Sequence, residues 1–141
     1  MSENENVDIV DDNEYVFLGR DEILDYDDIK VETVPVPEWG AKAAVRLKVL
    51  SAAERDAFEA STVTTKGGKQ KPNLANIRAR LVARCMVDGD GKRVFESGDV
   101  ARLGNKSSKA LDRLFAKCQE INGFSDKDIE DLTEDFGETS D

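Results

Sequence analysis

The sequence predicts an α+β fold in which a small antiparallel β-hairpin sheet packs against three to four α-helices. Two stretches, residues 29–36 and 43–49, place apolar side chains at every second position, as in strands with one buried face. Later stretches repeat apolar residues every three or four positions, as in helices with one buried face. The first residues of the chain have few apolar side chains and much negative charge, so we expect a disordered acidic N-terminus.

A turn around Trp39 is predicted to join the two strands. The segment Val34-Pro35-Val36-Pro37 continues the extended path, because a proline disfavours helical backbone in the residue before it. Proline has no backbone N–H for a neighbouring strand, so the first strand should lie at a sheet edge. In the second strand the residues expected to face inwards are Ala43, Val45, Leu47 and Val49.

A capping box predicts the first long helix. In Ser51-Ala-Ala-Glu54 the serine oxygen can accept an early backbone N–H while the glutamate reaches back to the serine N–H. The helix should run to about Ser61, with an inner face made of Ala53, Ala57, Phe58 and Ala60. Residues 62–72, which contain Gly67-Gly68 between lysines, are predicted to be a loop.

Two more helices are predicted in the second half of the chain. Asn73 should cap the first of them, with an apolar stripe of Leu74, Ile77, Leu81 and Cys85. Ser107 or Ser108 should cap the longest helix, which Gly123 ends, with a stripe of Leu111, Leu114, Phe115, Cys118 and Ile121.

Shorter elements complete the prediction. Residues 88–91, Asp-Gly-Asp-Gly, predict a reverse turn after which residues 93–95 pair briefly with Met86-Val87. A short helix should begin at Asp99. One helical turn is expected within residues 21–27, with Ile23 and Leu24 facing inwards, and Ser125 should cap a last acidic helix that carries Ile129, Leu132 and Phe136.

The charge divides the chain into an acidic start, a basic middle and an acidic end. Net charge is −10 over residues 1–32, +7 over residues 33–124 and −7 over residues 125–141, and the whole chain carries −10. We predict a disordered acidic arm at residues 1–14, a single α+β domain at residues 15–124, and an acidic C-terminal segment with a short helix at residues 125–141. Such charged ends are solvated, and they can also keep the basic middle away from nucleic acid.

The composition argues against several kinds of chemistry. The chain has no histidine, so it lacks the commonest general base and the commonest metal ligand. Its two cysteines, Cys85 and Cys118, lie on helical apolar stripes and are expected to be buried as small apolar side chains. Counted from Asp88, the pattern of a calcium-binding loop fails where Lys92, Arg93 and Asp99 stand. We therefore predict no catalytic residue, no metal ligand and no cofactor, and a protein that is not an enzyme.

The sequence also bears on location. No apolar run approaches the roughly 18 residues of a membrane span, so no membrane association is expected. The first residues are acidic rather than basic, which is unlike a signal peptide. Few cysteines are typical of a protein from a reducing compartment.

Two features leave alternatives open. Arg78, Arg80 and Arg84 in the basic helix of residues 74–86 could contact phosphates, which would make the protein a small nucleic-acid-binding or regulatory module. Nucleic acid is nevertheless not the expected partner, because the helix carries few bases and the chain as a whole is acidic. Trp39, the single tryptophan, could either cover the small core or anchor an apolar partner.

Several segments resemble the phage tail assembly chaperone family of long-tailed phages, the siphoviruses. The most specific is Val34-Pro35-Val36-Pro37-Glu38-Trp39-Gly40, followed by Val45-Arg46-Leu47 and residues 53–58. Residues 79–92 resemble the helix and turn of the same family, and the order of elements continues from Val94-Phe95 to Asn122. The resemblance covers roughly residues 18–136.

The resemblance implies a non-enzymatic chaperone that binds the tape measure protein and keeps it soluble until the tail tube polymerises around it. It further implies a protein of the host cytoplasm that is absent from the mature virion, with the tail tube protein and other copies of the chain as further candidate partners. We hypothesise a partner-binding groove bordered by the hairpin sheet and the last helix, which could instead dock on its own domain or on a neighbouring copy. The residues expected to border this groove are Val36, Trp39, Val45, Leu47, Ile129, Leu132 and Phe136.

Overall fold

The computed structural model describes residues 11–124, with four positions of one hairpin (Lys66, Gln70, Lys71 and Pro72) described by their backbone alone. It confirms the α+β class, with a small antiparallel sheet covered by helices. The strands are β1 (Val31–Pro35), β2 (Ala44–Lys48), β3 (Val63–Lys66), β4 (Lys69–Pro72) and β5 (Met86–Val87). The helices are α1 (Arg20–Asp25), α2 (Ala52–Ser61), α3 (Ile77–Cys85), α4 (Val100–Leu103) and α5 (Ser108–Asn122).

The predicted hairpin around Trp39 is confirmed as the antiparallel pair β1–β2. Its register runs from Val31 opposite Lys48 to Pro35 opposite Ala44. The strand order is β1-β2-β5, so the proline-containing strand lies at an edge of the sheet as predicted. The connection is a 3-10 turn, Pro37–Trp39, followed by Gly40 at φ +146°, a backbone conformation that residues with side chains rarely adopt.

Helix α2 begins at the predicted capping box. Ser51 Oγ accepts a hydrogen bond from the Glu54 N–H at 3.1 Å, and Glu54 Oε1 accepts one from the Ser51 N–H at 2.9 Å. Burial alone would raise the pKa of Glu54, but hydrogen bonds from Lys48 and Ser51 outweigh it and lower the pKa. The contribution of Glu54 to stability is therefore complete above the unfolded-state pKa and is lost as the pH falls through the lowered pKa of the folded state.

The predicted inner face of α2 is wrong except at Phe58. Phe58 is fully buried, while Ala53, Ala57 and Ala60 are exposed. The ring of Phe58 packs edge-on against Phe124, with ring centroids 5.9 Å apart. Burying a methyl group stabilises far less than burying a benzyl group, so the orientation of α2 follows its aromatic side chain rather than its alanines.

The loop predicted at residues 62–72 is instead the hairpin β3–β4. Its register pairs Val63 with Pro72 and Lys66 with Lys69. Gly67 and Gly68 form the two-residue turn with φ of +61° and +78°, and two consecutive positive φ values are the mark of the type I′ hairpin turn. The Asn73 N–H donates to the Thr62 carbonyl at 2.7 Å and closes the base of the hairpin.

Helix α3 begins later than predicted. Asn76 rather than Asn73 precedes it, and Asn76 has left-handed backbone at φ +53°, which stops helical backbone on that side of Ile77. The predicted burial of Cys85 and Cys118 is confirmed, and both thiols are free. A hydrogen bond with Cys85 and then burial raise the pKa of the Cys118 thiol well above its ordinary value, so it stays protonated at neutral pH.

The longest helix, α5, follows its predicted pattern from end to end. Ser107 Oγ accepts hydrogen bonds from the N–H groups of Lys109 and Ala110, and Gly123 ends the helix in left-handed backbone at φ +73°. Leu111, Leu114 and Cys118 are buried, and Phe115 and Ile121 are half-buried. Helix α5 packs beside α3 and against β2, so the core lies between the sheet and these two helices.

The short elements of the second half are also found. Asp88 Oδ1 accepts hydrogen bonds from the N–H groups of Asp90 and Lys92, which forms the predicted reverse turn. Arg93 then pairs with Val87, next to β5. Helix α4 begins after Asp99 as predicted.

Candidate protein-binding site

An open groove lies between the turn that joins β1 to β2 and helix α4. Its volume is about 620 Å³, and the residues that line it are Trp39, Phe95, Asp99, Arg102, Leu103 and Lys106. Trp39, Phe95 and Leu103 form its apolar floor. The exposed basic residues Arg102 and Lys106 lie at its rim. We call this feature the Trp39 groove. Its size falls in the range of about 300–1,000 Å³ that is usual for ligand-binding clefts.

Local contacts hold Trp39 in place. The Trp39 N–H donates to the Val36 carbonyl at 3.0 Å, which is the hydrogen bond of the 3-10 turn. Next to it, Glu38 Oε2 accepts a hydrogen bond from Arg113 of α5 at 2.6 Å, while the buried Glu38 Oε1 has no partner among the described residues. The Trp39 ring is half-buried against the core and also lines the groove. Trp39 therefore covers the core with one part of its surface and offers another part to a ligand.

The rim of the Trp39 groove is positively charged. Within residues 11–124, neither Arg102 nor Lys106 forms an ion pair. The one acidic residue of the lining, Asp99, uses its Oδ2 atom to accept a hydrogen bond from the Glu96 N–H at 3.0 Å. The groove therefore combines an apolar floor with free cations, which favours an apolar ligand that carries negative charge.

The structure separates the residues that the sequence grouped as a partner-binding set. Val36 and Leu47 are 0% exposed and belong to the core, so their side chains have no surface to offer a partner. Trp39 lines the groove, while Val45 is half-buried in a different cleft beside Met86 and Val94. The other members of the set, Ile129, Leu132 and Phe136, lie outside the described residues, as do residues 1–10 of the predicted acidic arm.

A second apolar surface lies near the start of the chain. The sequence analysis did not predict it to be a binding site. Between residues 15 and 26 seven large apolar side chains are exposed by 52–83%: Tyr15, Val16, Phe17, Leu18, Ile23, Leu24 and Tyr26. The prediction that Ile23 and Leu24 face inwards is therefore wrong. Helix α1 has six residues, and none of them is buried. We call residues 15–26 the N-terminal apolar segment.

Acidic side chains border the second part of this segment. Asp21, Glu22 and Asp25 lie in α1 itself, and Asp27 and Asp28 follow it. An exposed run of large apolar residues bordered by charge is typical of a surface that binds another protein. The sequence signal that could have found it is the run Tyr15-Val16-Phe17-Leu18, which has no period that matches a strand or helix of the domain.

The basic helix is mostly engaged in contacts within the protein. Arg78 forms an ion pair with Asp112 of α5. The guanidinium group of Arg80 donates to the carbonyl oxygens of Ser61, Asn73 and Ala75 and so ties α3 to the base of the β3–β4 hairpin. Burial, and then the nearby Arg84, lower the pKa of Arg80. These contacts disfavour the alternative of a nucleic-acid-binding helix, because two of its three bases already have partners.

Replacing Arg80 with methionine is expected to lower the free energy of unfolding by about 2 kcal/mol, because charge-assisted hydrogen bonds to three carbonyl groups are lost. Urea denaturation measures this loss. The matched control is Arg84→Met, which should change stability by less than about 0.5 kcal/mol because Arg84 forms no such bonds within residues 11–124. Unchanged stability of the Arg80 variant together with lost binding to a polyanion would instead favour the nucleic-acid function.

Two kinds of feature, a cluster of metal ligands and a membrane-spanning helix, are not found among the described residues. Within residues 11–124 no group of three or more acidic, cysteine or histidine side chains is arranged to hold a metal ion. Over the same residues, no helix combines the length and the apolar character needed to cross a bilayer.

The groove and the N-terminal apolar segment are surfaces of the kind that bind proteins. A family model described as phage tail assembly chaperone matches residues 23–134. The chain therefore belongs to the phage tail assembly chaperone family, and its role is that of a chaperone in tail assembly. This confirms the resemblance seen in the sequence.

A solved structure supports the same fold. The chain is similar to the "Structure of bacteriophage HK97 tail assembly chaperone", with a TM-score of 0.51 and 16% sequence identity. The similarity covers 89% of this chain and 100% of that chain. At this identity it shows a shared fold. A search of curated proteins gives no match.

Proposed function

We propose that this chaperone binds the tape measure protein of a long-tailed phage and keeps it soluble until the tail tube polymerises around it. It acts by covering apolar surface, without catalysis and without a cofactor. It does so in the host cytoplasm and leaves before the virion is complete. Membership of the tail assembly chaperone family supports this proposal.

The observation that carries the proposal is the exposure of the N-terminal apolar segment. Its seven large apolar side chains face water in the isolated chain, which is unfavourable until a partner covers them. Fully burying a side chain of this kind contributes about 1.5–3 kcal/mol to the free energy of binding. Burying the whole segment would therefore contribute on the order of 10 kcal/mol, from which the entropic cost of association must be subtracted. A long helical client with apolar stripes is a partner that such a segment can cover.

Charge provides the second half of the mechanism. The chain carries −10 overall, and −10 of charge lies within residues 1–32, around the N-terminal apolar segment. A client covered by several copies would present this negative charge to the solvent. Repulsion between like-charged complexes keeps them apart and so prevents aggregation. The Trp39 groove provides a further contact for apolar side chains of the client.

Co-expression tests the proposal. The tape measure protein of the same phage is produced alone, with the wild-type chaperone, and with an unrelated acidic protein of similar size as the control. We expect the soluble fraction of the tape measure protein to rise only with the chaperone, and the two proteins to co-purify. A tape measure protein that stays equally insoluble in all three cultures would contradict the proposal.

A further inference from the structure

The Trp39 groove has the chemical character of a receptor for an acidic amphipathic helix. Its floor is apolar, and its rim carries Arg102 and Lys106, four positions apart in the chain and without an ion pair in the described part of the protein. An apolar stripe bordered by carboxylates would cover the floor and neutralise both cations. Amphipathic helices commonly bind such grooves through side chains at positions i, i+3, i+4 and i+7.

The end of this same chain has the matching pattern. Residues 125–141 contain eight acidic side chains and one lysine. Ile129, Leu132 and Phe136 occupy positions i, i+3 and i+7 within it, and a helix places them on one face with the acids around them. Net charge of this segment is −7, opposite in sign to the rim of the groove.

The segment starts from a fixed point within reach of the groove. Phe124 is buried, its N–H donates to the Gln119 carbonyl at 2.9 Å, and the Arg55 guanidinium lies 3.9 Å from the centre of its ring. From there the groove lies back along α5, where Arg113 holds Glu38 beside Trp39. Arg113 lies nine residues before Asn122, where α5 ends, which is a helical rise of about 14 Å, and Gly123 and Phe124 follow.

The length of the segment covers this distance. Residues 125–128 can span about 13 Å when extended. A helix from Ile129 to Phe136 adds about 12 Å. Together these lengths amount to about 25 Å, which exceeds the helical rise between Arg113 and the end of α5.

We propose that the C-terminal segment of the chain, residues 125–141, docks Ile129, Leu132 and Phe136 in the Trp39 groove of the same molecule. The N-terminal apolar segment does not fill the groove, because its side chains are exposed. Attachment to Phe124 gives the C-terminal segment an effective concentration of about 1 mM at the groove, which favours it over a second copy at lower concentration. A client that uses the groove must first displace this segment, a consequence that rests on the proposed function.

The single tryptophan reports directly on the groove. In the full-length protein we expect the Leu132→Ala/Phe136→Ala double variant to shift the emission of Trp39 to the red and to increase its quenching by acrylamide. The matched control, Thr139→Ala/Ser140→Ala, changes two residues of the same segment outside the stripe and should leave both quantities unchanged. Equal emission and quenching in wild type, variant and control would overturn the proposal.

Binding of the segment in trans gives a second readout. A labelled peptide of residues 125–141 should bind the Leu132→Ala/Phe136→Ala protein at least about tenfold more tightly than wild type, whose groove is already occupied. Changing Arg102 and Lys106 to glutamate in that variant should abolish binding, while its melting temperature stays close to that of the parent. Equal binding to wild type and variant, or binding that survives the charge reversal, would overturn the proposal.

Dilution distinguishes docking of the segment on its own molecule from docking on a second copy. Quenching of Trp39 in the wild-type protein should stay constant over about a hundredfold dilution, because an intramolecular contact does not depend on concentration. Quenching that rises on dilution would assign the occupant to a second copy and contradict the proposal. None of these measurements needs the tape measure protein, so their outcome is independent of the co-expression test.

Discussion

Replacing Val16, Phe17 and Leu18 together with serine is expected to reduce the yield of soluble tape measure protein in co-expression by at least about tenfold. The three side chains are 83%, 72% and 52% exposed in the isolated chain. Losing one buried apolar side chain in a complex costs about 1.5–3 kcal/mol, which is a factor of at least about ten in affinity. The measurement is the ratio of soluble to total tape measure protein.

The stability of the chaperone itself separates loss of binding from loss of folding. The triple variant should have an unchanged melting temperature, because these side chains contribute nothing to the core. The matched control, Val31→Ser/Val94→Ser, removes two other exposed apolar side chains and should preserve the solubility of the client. A triple variant that still solubilises the client as well as wild type would show that the N-terminal apolar segment is not the binding surface.

The second large expected effect is a loss of stability when Phe58 is replaced. Replacing Phe58 with alanine is expected to lower the free energy of unfolding by about 3–5 kcal/mol, because the benzyl group is fully buried and its removal leaves a cavity beside Phe124. Urea denaturation followed by circular dichroism measures the change. This loss is a large share of the 5–15 kcal/mol or so that stabilises an ordinary domain.

The neighbouring position provides the control for that variant. Ala57 is exposed on the same helix, and Ala57→Ser should change stability by less than about 0.5 kcal/mol. The sequence alone assigned both residues to the inner face of α2, so the pair tests which side of this helix packs on the protein. Equal losses at the two positions would contradict the orientation of α2.

Much of the fold could be predicted from the sequence because local chemistry determines it. The capping box at Ser51 fixes the start of α2, and the alternation around Val45 and Leu47 fixes a strand with one inner face. The stripe of α5 is long and regular enough to be recognised without any knowledge of its neighbours. The hairpin at Gly67-Gly68 was missed although its signal is present, because the lysines around the glycines suggested a flexible linker.

The candidate site was harder to predict, for a physical reason. Periodicity tells which side chains share a face but not whether another element covers that face. Val36 and Leu47 belong to the buried core, whereas Ile23 and Leu24, which the sequence assigned to an inner face, are more than half exposed. The Trp39 groove brings Trp39 next to residues 95–106, which follow it in the chain by more than fifty positions.

The arrangement of the sheet limits how the protein can engage other chains. One border strand, β1, ends in Pro35, which offers no amide donor, and the opposite border, β5, has two residues and is bridged by Arg93 next to it. Neither border of this sheet provides the long row of unsatisfied amides and carbonyls with which an incoming polypeptide could pair as an extra strand. Growth of this sheet by an added strand is therefore disfavoured, and we expect a partner protein that meets these two borders to be bound through side chains.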